Sequence, residues 1–382
     1  MNKACRDIIA LNLIPGLGPR KIAAFLERVR ETEEIFRMPR FQLDEIIGER
    51  FDRAGEISSI RDSREYAGEI AYIEKENIDV LCYKDRVYPG SLRNIYDPPP
   101  VLYCKGDLTS DDADAVAIVG ARRCSAYGLR MAERLAFDLA ERGVTVISGM
   151  ARGIDSAAHR GALKAGGRTI AVMGSGFRHI YPLGSEKLMR AISKSGAVLT
   201  EYPSDIRPFK GNFPRRNRII SGMARGVVVV EAARKSGAMI TVDLALQQGR
   251  EVFAVPGRVD FHTSSGTNLL IQNGAKLVTG ADDILEEFNL GSGVQGAGFR
   301  DRTQDTGHEP RVTDHGIQAP SHQMLVEEDR RVLRILKTEG VMHIDRISEL
   351  AGMDIKTLPE TLIRLEVKGL VKTLAGRNYV GC

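Results

Sequence analysis

None of the five cysteines (Cys5, Cys82, Cys104, Cys124 and Cys382) belongs to a Cys-x-x-Cys pair. That scatter argues against a zinc ribbon or a secreted disulfide framework and fits a reducing compartment. The N-terminal Met1-Asn-Lys-Ala-Cys-Arg-Asp7 lacks the apolar core of a signal peptide, and no apolar run approaches the roughly 20 residues of a membrane span. A soluble cytoplasmic protein with no membrane contact is expected. There is no Gly-Lys dipeptide and hence no P-loop. A dinucleotide site would want Gly-x-Gly-x-x-Gly after the first buried strand and an acid after the second. The chain has Gly120-Ala-Arg-Arg-Cys-Ser and Ser148-Gly149 there instead. His159, His179 and His262 lack metal-ligand spacing with one another. No cofactor and no metal are therefore expected. The net charge is only +4, so any polyanion must be held by a local patch.

The length, 382 residues, accommodates more than one core. Residues 1–78 read as short helices, 79–290 as alternating strand and helix, 291–322 as a Gly-rich and polar flexible linker, and 323–382 as helical again. Within the first part, Ile14-Pro-Gly-Leu-Gly-Pro-Arg-Lys-Ile22 sits between two amphipathic segments and suits a helix-hairpin-helix turn. In the second, Val116–Gly120, Val144–Gly149, Arg168–Gly176, Ala197–Glu201, Gly226–Glu231 and Glu251–Gly257 hold short apolar runs. Helical patterns between them predict a parallel sheet covered on both faces, a doubly wound Rossmann-like α/β fold. The last part reads as three helices and a wing. Its third helix balances Lys356, Arg364 and Lys368 against Asp354, Glu360 and Glu366, which favours a protein contact over groove reading.

Open α/β sheets bind ligands beyond the carboxyl ends of their strands. Those ends carry Gly120-Ala-Arg122, Ser148-Gly149, Gly174-Ser-Gly176 and Ser236-Gly-Ala-Met-Ile-Thr241. Glycine turns that feed helix N-termini offer backbone donors and the positive end of a dipole to phosphate. Nearby lies Lys210-Gly-Asn-Phe-Pro-Arg-Arg-Asn-Arg218, four cations and one ring without an acid. Cations for phosphates beside a ring for a base are the minimum for gripping single-stranded nucleic acid. A solvated basic loop is the plainer reading of that run taken alone. Asp155, Glu201 and Glu231 could converge as paired carboxylates, but pairing with arginines or capping helices is the preferred reading.

Ala117-Ile-Val-Gly-Ala-Arg122, Ile147-Ser-Gly-Met-Ala-Arg-Gly-Ile-Asp-Ser-Ala-Ala-His159, Phe213-Pro-Arg-Arg-Asn-Arg-Ile-Ile-Ser-Gly222 and Ser236-Gly-Ala-Met-Ile-Thr241 resemble the signature blocks of the DNA-processing protein A (DprA, or Smf) family. The likeness continues through Val255-Pro-Gly257 and Gly266-Thr-Asn-Leu-Leu-Ile-Gln-Asn-Gly274. It implies a non-enzymatic, sequence-neutral single-stranded DNA binder that forms a homodimer. It also implies loading of the RecA recombinase during natural transformation and relief of the single-strand-binding protein's block. The flanking parts resemble the family's helical N-terminal and winged-helix C-terminal domains.

Carried over by position, Gly120 and Arg122 bind phosphate, Lys210 and Phe213 supply charge and a stacking ring, and Arg215, Arg216 and Arg218 extend the phosphate track. Arg152 keeps a charge where the family often has lysine. Leu269, Leu270 and Ile271 fall on the family's dimer face, and Gln247 and Gln248 near its recombinase contact. The alternative is a nucleotide-processing enzyme similar to the lysine-decarboxylase-like phosphoribohydrolases, with Glu231 as the acid. Those enzymes carry Pro-Gly-Gly-x-Gly-Thr where this chain has Lys235-Ser-Gly-Ala-Met-Ile-Thr241.

Overall fold

In the computed structural model, residues 1–288, 327–339, 342–354, 357–367, 370–374 and 378–381 are described. The expected linker, 291–322, lies outside them. Contacts divide the chain into two units, Met1–Gly298 and Phe299–Cys382. Among the described residues no helix is long and apolar enough to cross a membrane.

The first unit opens with helices α1 (Lys3–Leu13), α2 (Pro19–Arg28), α3 (Arg40–Ile47), α4 (Ala54–Ser59) and α5 (Arg64–Lys75). The α1–α2 hairpin forms because Gly16 adopts φ +83° and Pro19 begins α2, where its missing N–H costs nothing. The division at 78–79 changes the architecture but not the compact unit. Ile8, Leu11, Phe25 and Ile35 share one core with Tyr103, Met173, Phe177 and Val198 of the sheet region. Cys5 and Cys82 are joined by a disulfide, with Cα atoms 5.7 Å apart, although the sequence reading expected reduced thiols. Their separation of 77 residues along the chain carries no hint that α1 lies on the first strand.

Nine strands follow: β1 (Asp79–Cys82), β2 (Val101–Gly106), β3 (Val116–Val119), β4 (Val146–Ser148), β5 (Thr169–Val172), β6 (Ala197–Thr200), β7 (Gly226–Val229), β8 (Glu251–Ala254) and β9 (Lys276–Leu277). Their spatial order is β1-β2-β6-β5-β4-β3-β7-β8-β9. From β6 to β9 every neighbouring pair is parallel, whereas β2 pairs with β6, and β1 with β2, antiparallel. The parallel strands β3 to β7 are buried along their whole length, as their unbroken apolar runs require.

The connecting helices are α6 (Gly90–Arg93), α7 (Ala126–Glu141), α8 (Ile154–Lys164), α9 (Glu186–Ser195), α10 (Asn212–Met223), α11 (Gly237–Gln247), α12 (Ser265–Gln272) and α13 (Asp282–Phe288). The order confirms the doubly wound fold. It adds an antiparallel edge of β1 and β2. From β3 the chain steps outward through β4, β5 and β6, then returns to lay β7 on the other side of β3. That reversal is the topological switch point, and it opens a crevice above the carboxyl ends of β3 and β7.

The second unit holds α14 (Glu327–Glu339), β10 (Met342–His343), α15 (Ile344–Ala351), α16 (Leu358–Val367), β11 (Val371–Leu374) and β12 (Asn378–Gly381). Its strands form an antiparallel sheet in the order β10-β12-β11. Val332, Leu336, Ile347, Leu358 and Leu365 make its core. This is the expected winged helix. On its third helix Arg364 is 3.0 Å from the Asp329 carboxylate, so one of its basic residues is already engaged within the unit.

Candidate nucleic-acid interface

A groove of about 660 Å³ occupies the switch point. Val119, Gly120, Ala121 and Arg122 after β3 form one side, and Ser236, Gly237, Ala238 and Thr241 at the start of α11 form the other. Lys210, Phe213, Pro214, Arg216 and Asn217 close it from above. The two strand ends are pinned together, since the Ala121 N–H donates to the Glu231 carbonyl at 2.7 Å. Gly120 has no room for a side chain, because a Cβ would sit 2.7 Å from Ile154 and 2.9 Å from the Glu231 carbonyl. Glycine here lets the turn pack directly against the start of α8 and the chain beyond β7.

Arg122 and Phe213 meet in the groove, with the guanidinium carbon 5.0 Å from the ring centroid. Arg122 is exposed, and among the described residues no carboxylate lies within ion-pairing distance of it or of Lys210. The Phe213 ring rests on Gly174, where a Cβ would approach it to 2.8 Å. Tyr181 flanks the same ring at 5.4 Å between centroids, tilted by 49°. A cation, a flat face and a second aromatic edge thus surround one open space, which suits a base and its phosphate.

Residues 212–218 are helical, and this decides what each arginine does. At 100° per residue, successive side chains fan around the α10 axis. Arg215 is exposed and lies against Gly18, outside the groove. Arg216 turns inward: its Nη1 donates to the Gly149 carbonyl at 2.7 Å and to the Val172 carbonyl. Burial lowers its pKa to about 10, with Asp155 pulling the other way, so it stays charged at neutral pH. Arg218 is buried and donates twice to Glu201, at 2.9 and 2.6 Å, with its Nε 2.9 Å from Asp97. The expectation that Arg218 extends a phosphate track is corrected. Both of its acidic partners are protein groups, and its side chain is only 4% exposed.

The groove therefore unites Gly120, Arg122, Lys210, Phe213 and Arg216. It does not include Arg152, which is exposed but contributes no wall, or Arg215 and Arg218. The Gly174–Gly176 turn, read as feeding a helix, instead enters a loop that ends at α9 and serves as the seat for Phe213. Tyr181 was missed. Its neighbours His179, Ile180 and Pro182 carry no cationic signal, and only the folded loop brings it to the ring. Leu270 is core, leaving Leu269 and Ile271 half-buried on α12. Gln247 is exposed, whereas Gln248 donates to the Arg218 carbonyl at 3.1 Å.

Each acid near the rim has a local task. The Glu231 carboxylate accepts from the Ser125 N–H and hydroxyl at the start of α7. Glu201 holds Arg218. Burial raises the pKa of Asp155, and Arg216 opposes that rise. A Cβ on Gly149 would meet both Arg216 and Asp155 within 2.7 Å, which is why the chain carries glycine there. His159 is wholly buried, 2.7 Å from the Thr169 hydroxyl, and burial lowers its pKa to about 3.

Residues 79–289 match the family described as DNA recombination-mediator protein A, and 318–377 match the DprA winged helix domain. Protein Smf of Escherichia coli is 36% identical over 81% of this chain and 79% of its own length. The DNA processing protein DprA of Bacillus subtilis is 43% identical over 57% of this chain and 74% of its own. The crystal structure of DNA processing protein A from Streptococcus pneumoniae aligns with TM-score 0.65 and 37% identity, covering 75% of this chain and 99% of that one. DNA processing protein A of Helicobacter pylori, described for its single-stranded DNA binding mode, aligns with TM-score 0.50 and 32% identity over 56% of this chain and 95% of its own.

Proposed function

The chain belongs to the DNA recombination-mediator protein A family, and from that premise we propose that it is a non-enzymatic binder of single-stranded DNA that loads the RecA recombinase onto incoming strands. The observation that carries this reading is the Arg122–Phe213 pair at the switch point, with Lys210 beside it. Phosphates would meet Arg122 and Lys210, which have no salt bridge among the described residues, and a base would meet a ring, a combination that suits a sequence-neutral grip. RecA loading, homodimer formation and relief of the single-strand-binding protein's block are part of the same proposal, and family membership is what supports them. The half-buried Leu269 and Ile271 and the exposed Gln247 are the residues proposed for the dimer and recombinase contacts.

The enzymatic alternative needs Glu231 free to act as an acid. Its carboxylate is buried and accepts from the Ser125 N–H and hydroxyl at the start of α7, which counts against that role. Filter binding to oligothymidylate at two salt concentrations tests both readings. For four or more phosphates held, affinity should drop about tenfold or more over a roughly fourfold rise in salt. An Arg122→Ala, Lys210→Ala double variant should lose that binding while unfolding at the wild-type temperature. Undiminished binding by the double variant refutes the proposal, and release of free base from a nucleoside monophosphate would promote the enzyme.

A further inference from the structure

The first turn of α10 is a wall shared by two cavities. Phe213, Arg216 and Asn217 face the groove at the switch point, whereas Asn212 and Arg215 face a second cavity of about 770 Å³. That cavity lies between the α1–α2 hairpin turn, from Ile14 to Pro19, the start of α5, and the loop after β6. Three guanidinium groups reach it, from Arg64, Arg178 and Arg215. Arg178 stacks on Tyr72 at 3.9 Å and donates to the Ser204 hydroxyl at 3.2 Å, so its position is set by the protein. Arg64 and Arg215 are exposed and have no carboxylate partner among the described residues.

Four acids line the same cavity, and three of them have partners. Glu69 accepts from the Ser204 N–H at 2.9 Å and from its hydroxyl. Glu201 is held by Arg218, and Asp205 by His179 at 3.0 Å. Glu65 is exposed and has no ion-pair partner among the described residues. Arg64 and Arg215 are thus cations of this lining without a salt bridge among the described residues, and Arg215 stands on the wall shared with the groove. A flexible anion leaving the groove over the start of α10 would meet Arg215 first, then Arg64 and Arg178.

We propose that this cavity is a second phosphate-binding station for the same single strand, which crosses the first turn of α10 and enters the space beside the hairpin. The proposal rests on the single-strand reading of the groove. It predicts that a short strand uses the groove alone and that a longer one uses both. The test compares oligothymidylates of about 6 and about 25 nucleotides, lengths that bracket the usual site size of such modules.

Arg64→Glu, a change that suits the acid-favouring first turn of α5, should leave the short strand's affinity unchanged. The same variant should weaken the long strand about fivefold or more and lower the magnitude of its salt slope by about 0.7, one phosphate's share. Arg215→Glu should weaken the long strand in the same direction. Glu65→Gln should tighten it, an effect that misfolding does not mimic. If long-strand affinity and salt slope are unaltered in all three variants, the second station does not exist, although the groove's role stands. If Arg64→Glu weakens short and long strands alike, the continuation is also refuted. If wild type binds neither strand, the reading of the groove fails first and this proposal falls with it.

Discussion

Arg122 and Arg218 carry the same guanidinium in the same domain and do opposite work. Arg122 stands exposed beyond the end of a strand, over an aromatic face and without a salt bridge among the described residues. Arg218 is buried between Glu201 and Asp97. An exposed cation keeps its capacity to neutralise a phosphate and release counterions. A buried one has already spent that capacity on protein carboxylates, and its removal strands them in a medium that penalises charge. The lesson is that a cationic cluster in a sequence counts candidates, while burial and pairing decide which of them face a ligand.

Substitution at the two ends of this contrast should separate stability from binding. The largest effect is expected for Arg218→Ala, which leaves Glu201 and Asp97 without their cation and should cost about 3–5 kcal/mol of folding stability. Denaturant unfolding measures it. A loss below about 1 kcal/mol, the range of exposed pairs, would show that Arg218 is not the buried anchor described. Phe213→Leu sharpens the other end. It keeps apolar volume on Gly174 but removes the stacking face, so strand affinity should drop by about 1–3 kcal/mol with an unchanged salt slope. A changed slope with unchanged affinity would assign Phe213 to positioning Arg122 alone.

The smallest effect separates buried polarity from the open rim by pH. His159 stays neutral in the fold down to about pH 3, while an unfolded histidine takes up a proton near its ordinary value of 6.5. Between those limits the unfolded state binds more protons. Stability should therefore be full above about pH 6.5 and decline with acidification, by at most about 1.4 kcal/mol per pH unit from this residue. His159→Gln should flatten that decline in thermal unfolding followed from pH 7 to 5. An equally steep decline in the variant would place the acid sensitivity elsewhere.

Much of the fold was legible. The runs at Val116–Val119, Val146–Ser148 and Gly226–Val229 are apolar on both faces of a strand, and only a sheet covered by helices hides both. The glycine turn at Gly120, directly after such a run, and the α11 start at Ser236, a few residues after another, were readable as a rim. The antiparallel strands β1 and β2 were not recognised, since their short runs carry no helix between them to mark a crossover. Arg216 and Arg218 were read as surface groups because a basic stretch looks solvated until the helical period is laid over it.

Local residue order, then, determined the sheet, its covering helices, the turn at the hairpin and the presence of a cationic, ring-bearing segment next to the strand ends. Those features depend on neighbours a few residues apart, through periodicity and turn stereochemistry. The tertiary structure alone decided that Tyr181 joins Phe213, that Glu231 is claimed by the start of α7, and that Arg215 looks into a different cavity from Arg216. Each of those outcomes is a contact between segments distant in the chain or a choice of helix face, and a side chain's charge is free or spent only once that contact exists.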